Sequence, residues 1–285
     1  MRICRFDNDR VGVVVGDRVA DVTEVVSEAL PSQRWPFSRG DAFIAALPEL
    51  RQRLEAAAAD APTRPLAEVR LLSPVANPGK IIAAPVNYMK HVEESREDAG
   101  INFGTEISLI DRYALFLKAN SSMVGAGEGV EIHHDDGRRT DHEVELALVI
   151  GKTARNVSEQ DALEYIAGYF IGLDITIRGT EDRSYRKSLD TFTVLGPWLV
   201  TADEFGAPDA VELDIKVNDE PRQNANTRDL IWSVAKIISF ASHSYTLEPG
   251  DVILTGTPEG VAPIKRGDRM DARIEGIGAM RVMVR

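Results

Sequence analysis

Beyond Lys80 the chain is built from short apolar runs, KIIAAP, ALFLKA, VELALVIG, GYFIGLDIT, GPWLVT, VELDIKVN, DVILTG and MRVMV, set apart by Gly, Pro and Asp. Runs of that length bounded by turn formers predict strands. Helical spacing is confined to SEQDALEYIAGY, with Ser158 placed to cap it, and DLIWSVAKIISFASHSY, where Ile231, Val234, Ile237, Ile238 and Ala241 recur on one stripe. Before Lys80 the pattern differs. ICRF, the turn DNDR and VGVVV predict a hairpin, with GD as the next turn. DAFIAALPELRQRLEAAAAD predicts a helix from Asp41 to Asp60, capped by Asp41 and broken or kinked at Pro48. The proline-bearing connector APTRPLAEVRLLSPVANPG follows and marks the boundary. The expected organisation is a small N-terminal α+β domain over 1–72 and a larger β-rich domain over 73–285, either barrel-like or a folded-over sheet.

Composition agrees with a folded chain: 285 residues, 44% hydrophobic and 27% charged. A net charge of -12 repels phosphate backbones and anionic lipid, so nucleic acid and membrane are not expected partners. A small anion is still acceptable, because a local cation can reverse the field inside one cleft. The single cysteine, Cys4, excludes an intrachain disulfide. It lies in an apolar strand-like run, where a buried thiol is the plain reading and a nucleophile the alternative. No apolar window reaches the length of a membrane span and the N-terminus lacks a signal-peptide pattern, so a cytoplasmic protein is expected.

The strongest candidate chemistry lies in TDHEVELALVIG. Strand alternation puts Asp141, Glu143 and Glu145 on one face and His142, Val144, Leu146 and Leu148 on the other. The run then becomes apolar on both faces, so carboxylates are carried toward an interior, where they need a partner or a metal. Two glutamates two residues apart, roughly 7 Å by strand rise, can converge on one cation. A solvated edge strand is the alternative. Asp174, ending GYFIGLDIT, offers a third oxygen ligand for Mg²⁺, Mn²⁺ or Ca²⁺, although a strand-end aspartate also suits a turn.

In APVNYMKHVEES, Asn87 can cap a helix on which His91 and Glu94 share a face. A carboxylate beside an imidazole orients a general base; a solvated surface pair is the bland reading. Lys187 in RKSLDTF could neutralise an enolate or carboxylate, or merely be an exposed lysine. The turn LTGTPEGV offers backbone amides and the Thr257 hydroxyl to a carboxylate. HHDDG over 133–137 reads as a polar turn, since consecutive residues rarely converge on one ion. The glycines of GAGEGVEI have the wrong spacing for a dinucleotide loop, and the common hydrolase, zinc and phosphate-loop signatures are absent.

Taken in order, KIIAAPVNYMKHVEE, LFLKANSSMVG, DHEVELALVIGKTARNVSEQDA, the GY…LD stretch, KSLDTFTVLGPWLVT and LEPGDVILTGTPEGV resemble the fumarylacetoacetate hydrolase family from about Asn77 onward. The resemblance implies a mixed β-sandwich roll behind a small N-terminal domain, usually as a homodimer. It implies metal ligation by Glu143, Glu145 and Asp174, a His91–Glu94 dyad, an active-site Lys187, and substrate contacts from Thr257 and its neighbour Gly256 and from Arg178. The implied substrate is a small 2-oxo or enol dicarboxylic acid. Isomerisation of a 2-hydroxyhepta-2,4-diene-1,7-dioate-like compound is the first expectation. C–C hydrolysis of an acylpyruvate and oxaloacetate decarboxylation are alternatives, and a non-catalytic oxo-acid binder is the rival of another class. Two stretches depart from the family pattern: ITIRGTEDRSYR is short and keeps only Arg178 of its usual element, while SREDAGINFGTEISLIDRY is long enough to serve as a lid.

Overall fold

The computed structural model describes residues 1–30, 35, 39–134 and 137–285. Among these, twelve strands form one mixed sheet, accompanied by a four-stranded and a three-stranded sheet. The fold is α+β and rich in sheet, as expected. The apolar runs all contribute strands. Val144–Ile150, apolar on both faces, is buried at every residue. It lies in the large sheet between Ile166–Asp174 and Val252–Leu254, antiparallel to both. Val252–Leu254 runs parallel to Ile81–Ala83 on its other side.

The hairpin Arg2–Phe6 and Arg10–Val15 forms as predicted. Its first strand also pairs with Thr193–Thr201, so the N-terminal strands extend the large sheet. The helix Ala42–Asp60 runs unbroken through Pro48, so the expected break does not occur. Proline removes one intrahelical hydrogen bond, while Phe43, Ile44, Leu47, Leu50 and Leu54 dock the helix on the sheet. Burial of such side chains stabilises by about 1.5–3 kcal/mol each, enough to outweigh the lost bond. Asp41 caps this helix through Phe43 and Ile44, and its other carboxylate oxygen accepts from Ala76 and Asn77, tying the connector down.

The predicted helix at SEQDALEYIAGY is instead a 3-10 turn, Ala162–Tyr165, and the strand begins at Ile166. Ile166, Tyr169 and Phe170 suit a pleated sheet, and pairing with Val144–Ile150 decides between the two periods. The helix Val234–Ser244 forms, capped by Ser233 through Lys236 N–H. No helix among the described residues is long and apolar enough to cross a membrane.

Cys4 is fully buried in a small cluster with Phe6, Val14 and Val19. Burial pushes its thiol up to about 12. A thiol-specific reagent should therefore leave the native protein unlabelled at pH 8 and modify one site per chain after denaturation; rapid native labelling would contradict this placement.

Candidate active site and metal centre

Strand pairing assembles the centre. Val144 lies opposite Leu173, and the Asp174 N–H donates to the Glu143 carbonyl at 2.9 Å, placing the strand-end aspartate beside the glutamate pair. On the other flank Thr255 N–H donates to the Leu146 carbonyl, delivering the LTGTPEGV turn to the same place. Glu143, Glu145 and Asp174 are all buried, and ligand oxygens from the three lie within 4.8 Å of one another. The solvated-edge alternative does not describe this strand.

The charges around the trio are unevenly distributed. Arg178 donates from Nε to Asp141 Oδ2 at 2.8 Å and from Nη2 to Glu143 Oε1 at 2.9 Å. Lys187 Nζ reaches Glu143 Oε2 and Asp174 Oδ2, both at 2.7 Å, and Thr176 Oγ1 at 2.6 Å. Far from being an exposed solubilising residue, Lys187 is buried. Lys118, also buried, pairs with Asp174 Oδ1 and donates to the Phe192 carbonyl. Burial alone would push the Glu143 carboxyl up, but Lys187 and Arg178 outweigh it and hold it well below the usual range.

Glu145 is different. Its carboxylate accepts from Gly256 N–H at 2.6 Å and forms no ion pair among the described residues. Burial, with Asp174 and Glu143 beside it, pushes this carboxyl well above the usual range. A buried carboxylate with no cationic partner is costly, and a divalent cation among three oxygen donors removes that cost. The donor set therefore fits a hard, oxygen-seeking divalent ion.

His91 and Glu94 lie on the helix Met89–Glu97, as the three-residue spacing predicts. His91 is buried, and its Nδ1 lies 2.8 Å from Glu94 Oε2. The other Glu94 oxygen accepts from Gly260 N–H at 2.9 Å. Asn87 does not cap this helix. Its amide donates to the Trp232 and Thr255 carbonyls and accepts from Trp232 N–H, stapling three segments behind the site. A local cap loses here because the buried amide satisfies all three partners at once.

A cavity of about 420 Å³ opens onto His91, Glu143, Glu145, Asp174, Lys187 and Thr257. Arg178 also lines it, with two of its donor nitrogens committed to Asp141 and Glu143. The Thr257 hydroxyl donates to the Val144 carbonyl and accepts from Gln223 Nε2, and the Gly256 amide serves Glu145. The structure thus brings seven of the expected residues to one cavity, with Glu94 directly behind His91 and Gly256 directly behind Glu145. The long segment after Glu94 supplies Ile101, Phe103, Ile107 and Tyr113 as a second wall. Asp135 and Asp136 of the HHDDG stretch lie outside the described residues; His133 Nε2 lies 2.7 Å from the Asp190 carbonyl.

Three features escape sequence reading. Lys118 is a lone lysine inside the apolar run ALFLKA, which is itself a signal of a paired buried charge. Asp141, whose place on the glutamate face the strand pattern gives, has a role the pattern does not give: it anchors both Arg139 and Arg178. Ser95 lies one turn beyond His91, lines the cavity, and has a buried hydroxyl without a hydrogen-bond partner among the described residues.

The pattern of the family described as fumarylacetoacetate (FAA) hydrolase, C-terminal, matches residues 80–285. A protein named maleylpyruvate hydrolase, from Aquipseudomonas alcaligenes, is 57% identical over all of this chain and 99% of its own length. The crystal structure of a maleylpyruvate hydrolase from Sphingobium sp. SYK-6, in complex with manganese(II) and pyruvate, is similar with a TM-score of 0.84. It is 41% identical and covers all of this chain and 98% of that one. A 5-carboxymethyl-2-hydroxymuconate delta-isomerase from Mycobacterium smegmatis matches with a TM-score of 0.70 and 32% identity, over all of this chain and 99% of that one.

Proposed function

The chain is an enzyme of the fumarylacetoacetate hydrolase family, and from that premise we propose that it cleaves a C–C bond in a maleylpyruvate-type acylpyruvate, a dicarboxylic 2,4-dioxo acid. One observation carries the choice of hydrolysis over isomerisation: the full-length relative at 57% identity is named a maleylpyruvate hydrolase. The pyruvate in the Sphingobium structure adds to it, since pyruvate is the 2-oxo acid that such a cleavage releases. The motifs alone point first to an isomerase, and the relative at 32% identity keeps that as the second reading.

The residues suit a hydrolytic sequence. Glu94, an acceptor on both oxygens, takes the Nδ1–H of His91 and leaves the Nε2 lone pair for a cavity water. His91 removes a proton from that water as its oxygen bonds to the acyl carbonyl carbon. The bond from that carbon to C3 of the pyruvyl unit then breaks, its electron pair staying on the pyruvyl side as an enolate. His91 returns the proton to C3, giving pyruvate and a free dicarboxylic acid. A bound divalent cation supplies Lewis-acid stabilisation of the enolate charge; Glu143, Glu145 and Asp174 would hold it, with Mg²⁺ or Mn²⁺ suited to the all-oxygen set. Lys187 keeps Glu143 ionised and holds the Glu143 and Asp174 carboxylates in alignment.

Purified protein with Mn²⁺ should release pyruvate from maleylpyruvate, followed through lactate dehydrogenase, and excess EDTA should return the rate to background. Absence of pyruvate together with a changing ultraviolet band of a hydroxymuconate-type dienol would establish the isomerase reading instead. Glu143→Ala and Asp174→Ala should each weaken Mn²⁺ binding in calorimetry by at least about 100-fold, beyond what loss of outer-sphere support produces. Undiminished affinity in both would remove the trio from the metal centre.

A further inference from the structure

The cavity holds more positive charge than the metal centre uses. Of its basic residues, Arg178 and Lys187 are bound to the carboxylates described above. Arg183 and Arg186, on the short helix Arg183–Arg186 between Asp174 and Lys187, also line the cavity. Neither forms an ion pair with a carboxylate among the described residues. Their acidic chain neighbours are engaged elsewhere, Glu181 with Arg138 at 2.8 Å and Asp182 with Ser184, and Glu106, which also lines the cavity, forms no ion pair with either arginine. Arg186 Nε donates to the Glu181 carbonyl at 2.7 Å, which fixes the half-buried side chain at the wall. The Arg183 guanidinium lies 4.1 Å over the Tyr113 ring, so it reaches across to the second wall and keeps its edge N–H groups for another acceptor. Burial, with Arg178 and Arg183 nearby, works against the Arg186 cation, and a bound anion would relieve it.

In a chain of net charge -12, two half-buried arginines left without carboxylates point at an anionic ligand group. Planar guanidinium groups match a carboxylate in geometry as well as charge. We propose that Arg183 and Arg186 form the subsite for the distal carboxylate of the substrate, the one on the acyl portion that leaves as a free dicarboxylic acid. This rests on the acylpyruvate hydrolase reading and extends it: the metal end selects the 2-oxo acid, and the arginine pair selects acyl chains ending in a carboxylate.

The test compares maleylpyruvate with acetylpyruvate, which has the same reacting atoms and no distal carboxylate. Wild type should prefer maleylpyruvate in kcat/KM. Arg186→Gln and Arg183→Gln should each lower that preference by roughly 10- to 100-fold, the scale of a lost charge-assisted hydrogen bond, chiefly through KM, and Arg186→Lys should restore part of it. An unchanged preference in both glutamine variants would overturn the subsite. If wild type cleaves neither compound, the hydrolase reading falls and binding decides the subsite by itself. Calorimetry with Mn²⁺ should then show 2-oxoglutarate binding more tightly than 2-oxobutanoate in wild type, with the difference lost in the variants. No difference in wild type would overturn the proposal.

Discussion

Replacing His91 with alanine should lower kcat for pyruvate release by roughly 10²–10⁴-fold, the usual contribution of a positioned general base. The cation affinity and melting temperature should hardly move. The first expectation follows from geometry. His91 is buried against the cavity that holds the carboxylate trio, and Glu94 occupies its Nδ1. Stability should survive because, among the described residues, the imidazole makes only that one hydrogen bond, at a cavity wall rather than in the close-packed core. Glu94→Gln is the sharper variant. An amide can present its N–H₂ to Nδ1 and so favour the tautomer with the proton on Nε2, the wrong nitrogen for accepting one from water. It should lose most of the His91 contribution while keeping the ring in place. Stopped-flow or coupled assays on both variants, with Mn²⁺ affinity as a control, check this. A His91→Ala enzyme with more than a tenth of wild-type kcat would remove His91 from the proton path, and the rival of a non-catalytic binder requires no turnover even in wild type.

The sequence carries these features unequally from residue to residue. The period of two in TDHEVELALVIG places Glu143 and Glu145 on one face, because strand alternation is a local property. Asp174 is not local: only the antiparallel register, with Val144 opposite Leu173, brings it within reach. The ordered motifs carried it, since they encode a fold that spacing alone does not. Asn87 departs from expectation for the opposite reason. Asn next to a helix suggests a cap, but three partners on distant segments compete for its amide and win. Ile166 to Tyr169 fit either period, and the strand prevails through its neighbour in the sheet. Lys118 carried the clearest unused signal, a charge inside an apolar strand. Arg183 and Arg186 could not be read as site residues from sequence, because an arginine on a short polar segment is normally solvated; only the cavity shows where they lie.

Glu145→Gln should separate two consequences of one buried charge. In the cation-bound enzyme it removes a ligand oxyanion, so Mn²⁺ affinity should fall by at least about 100-fold and turnover with it. In the chelated protein the same change should stabilise, by about 1–3 kcal/mol, because the amide fills the same volume without a charge to bury. The Gly256 N–H can still donate to the amide oxygen, so the existing hydrogen bond is kept. The sign with pH follows from the raised carboxyl. Burial, with Asp174 and Glu143 adjacent, holds the folded-state pKa of Glu145 well above its value near ~4.3 in the unfolded chain. Between those values the folded protein binds more protons than the unfolded one, so this group makes stability fall as pH rises. The stability gap between Glu145→Gln and wild type in EDTA should accordingly be small near pH 4 and widen toward neutrality. Saturating Mn²⁺ should reverse the order by raising the wild-type melting temperature alone. Parallel thermal denaturation at several pH values, with EDTA and with Mn²⁺, measures all of this; a glutamine variant less stable than wild type in EDTA at every pH would mean that Glu145 is already neutralised by the protein and is not waiting for a cation.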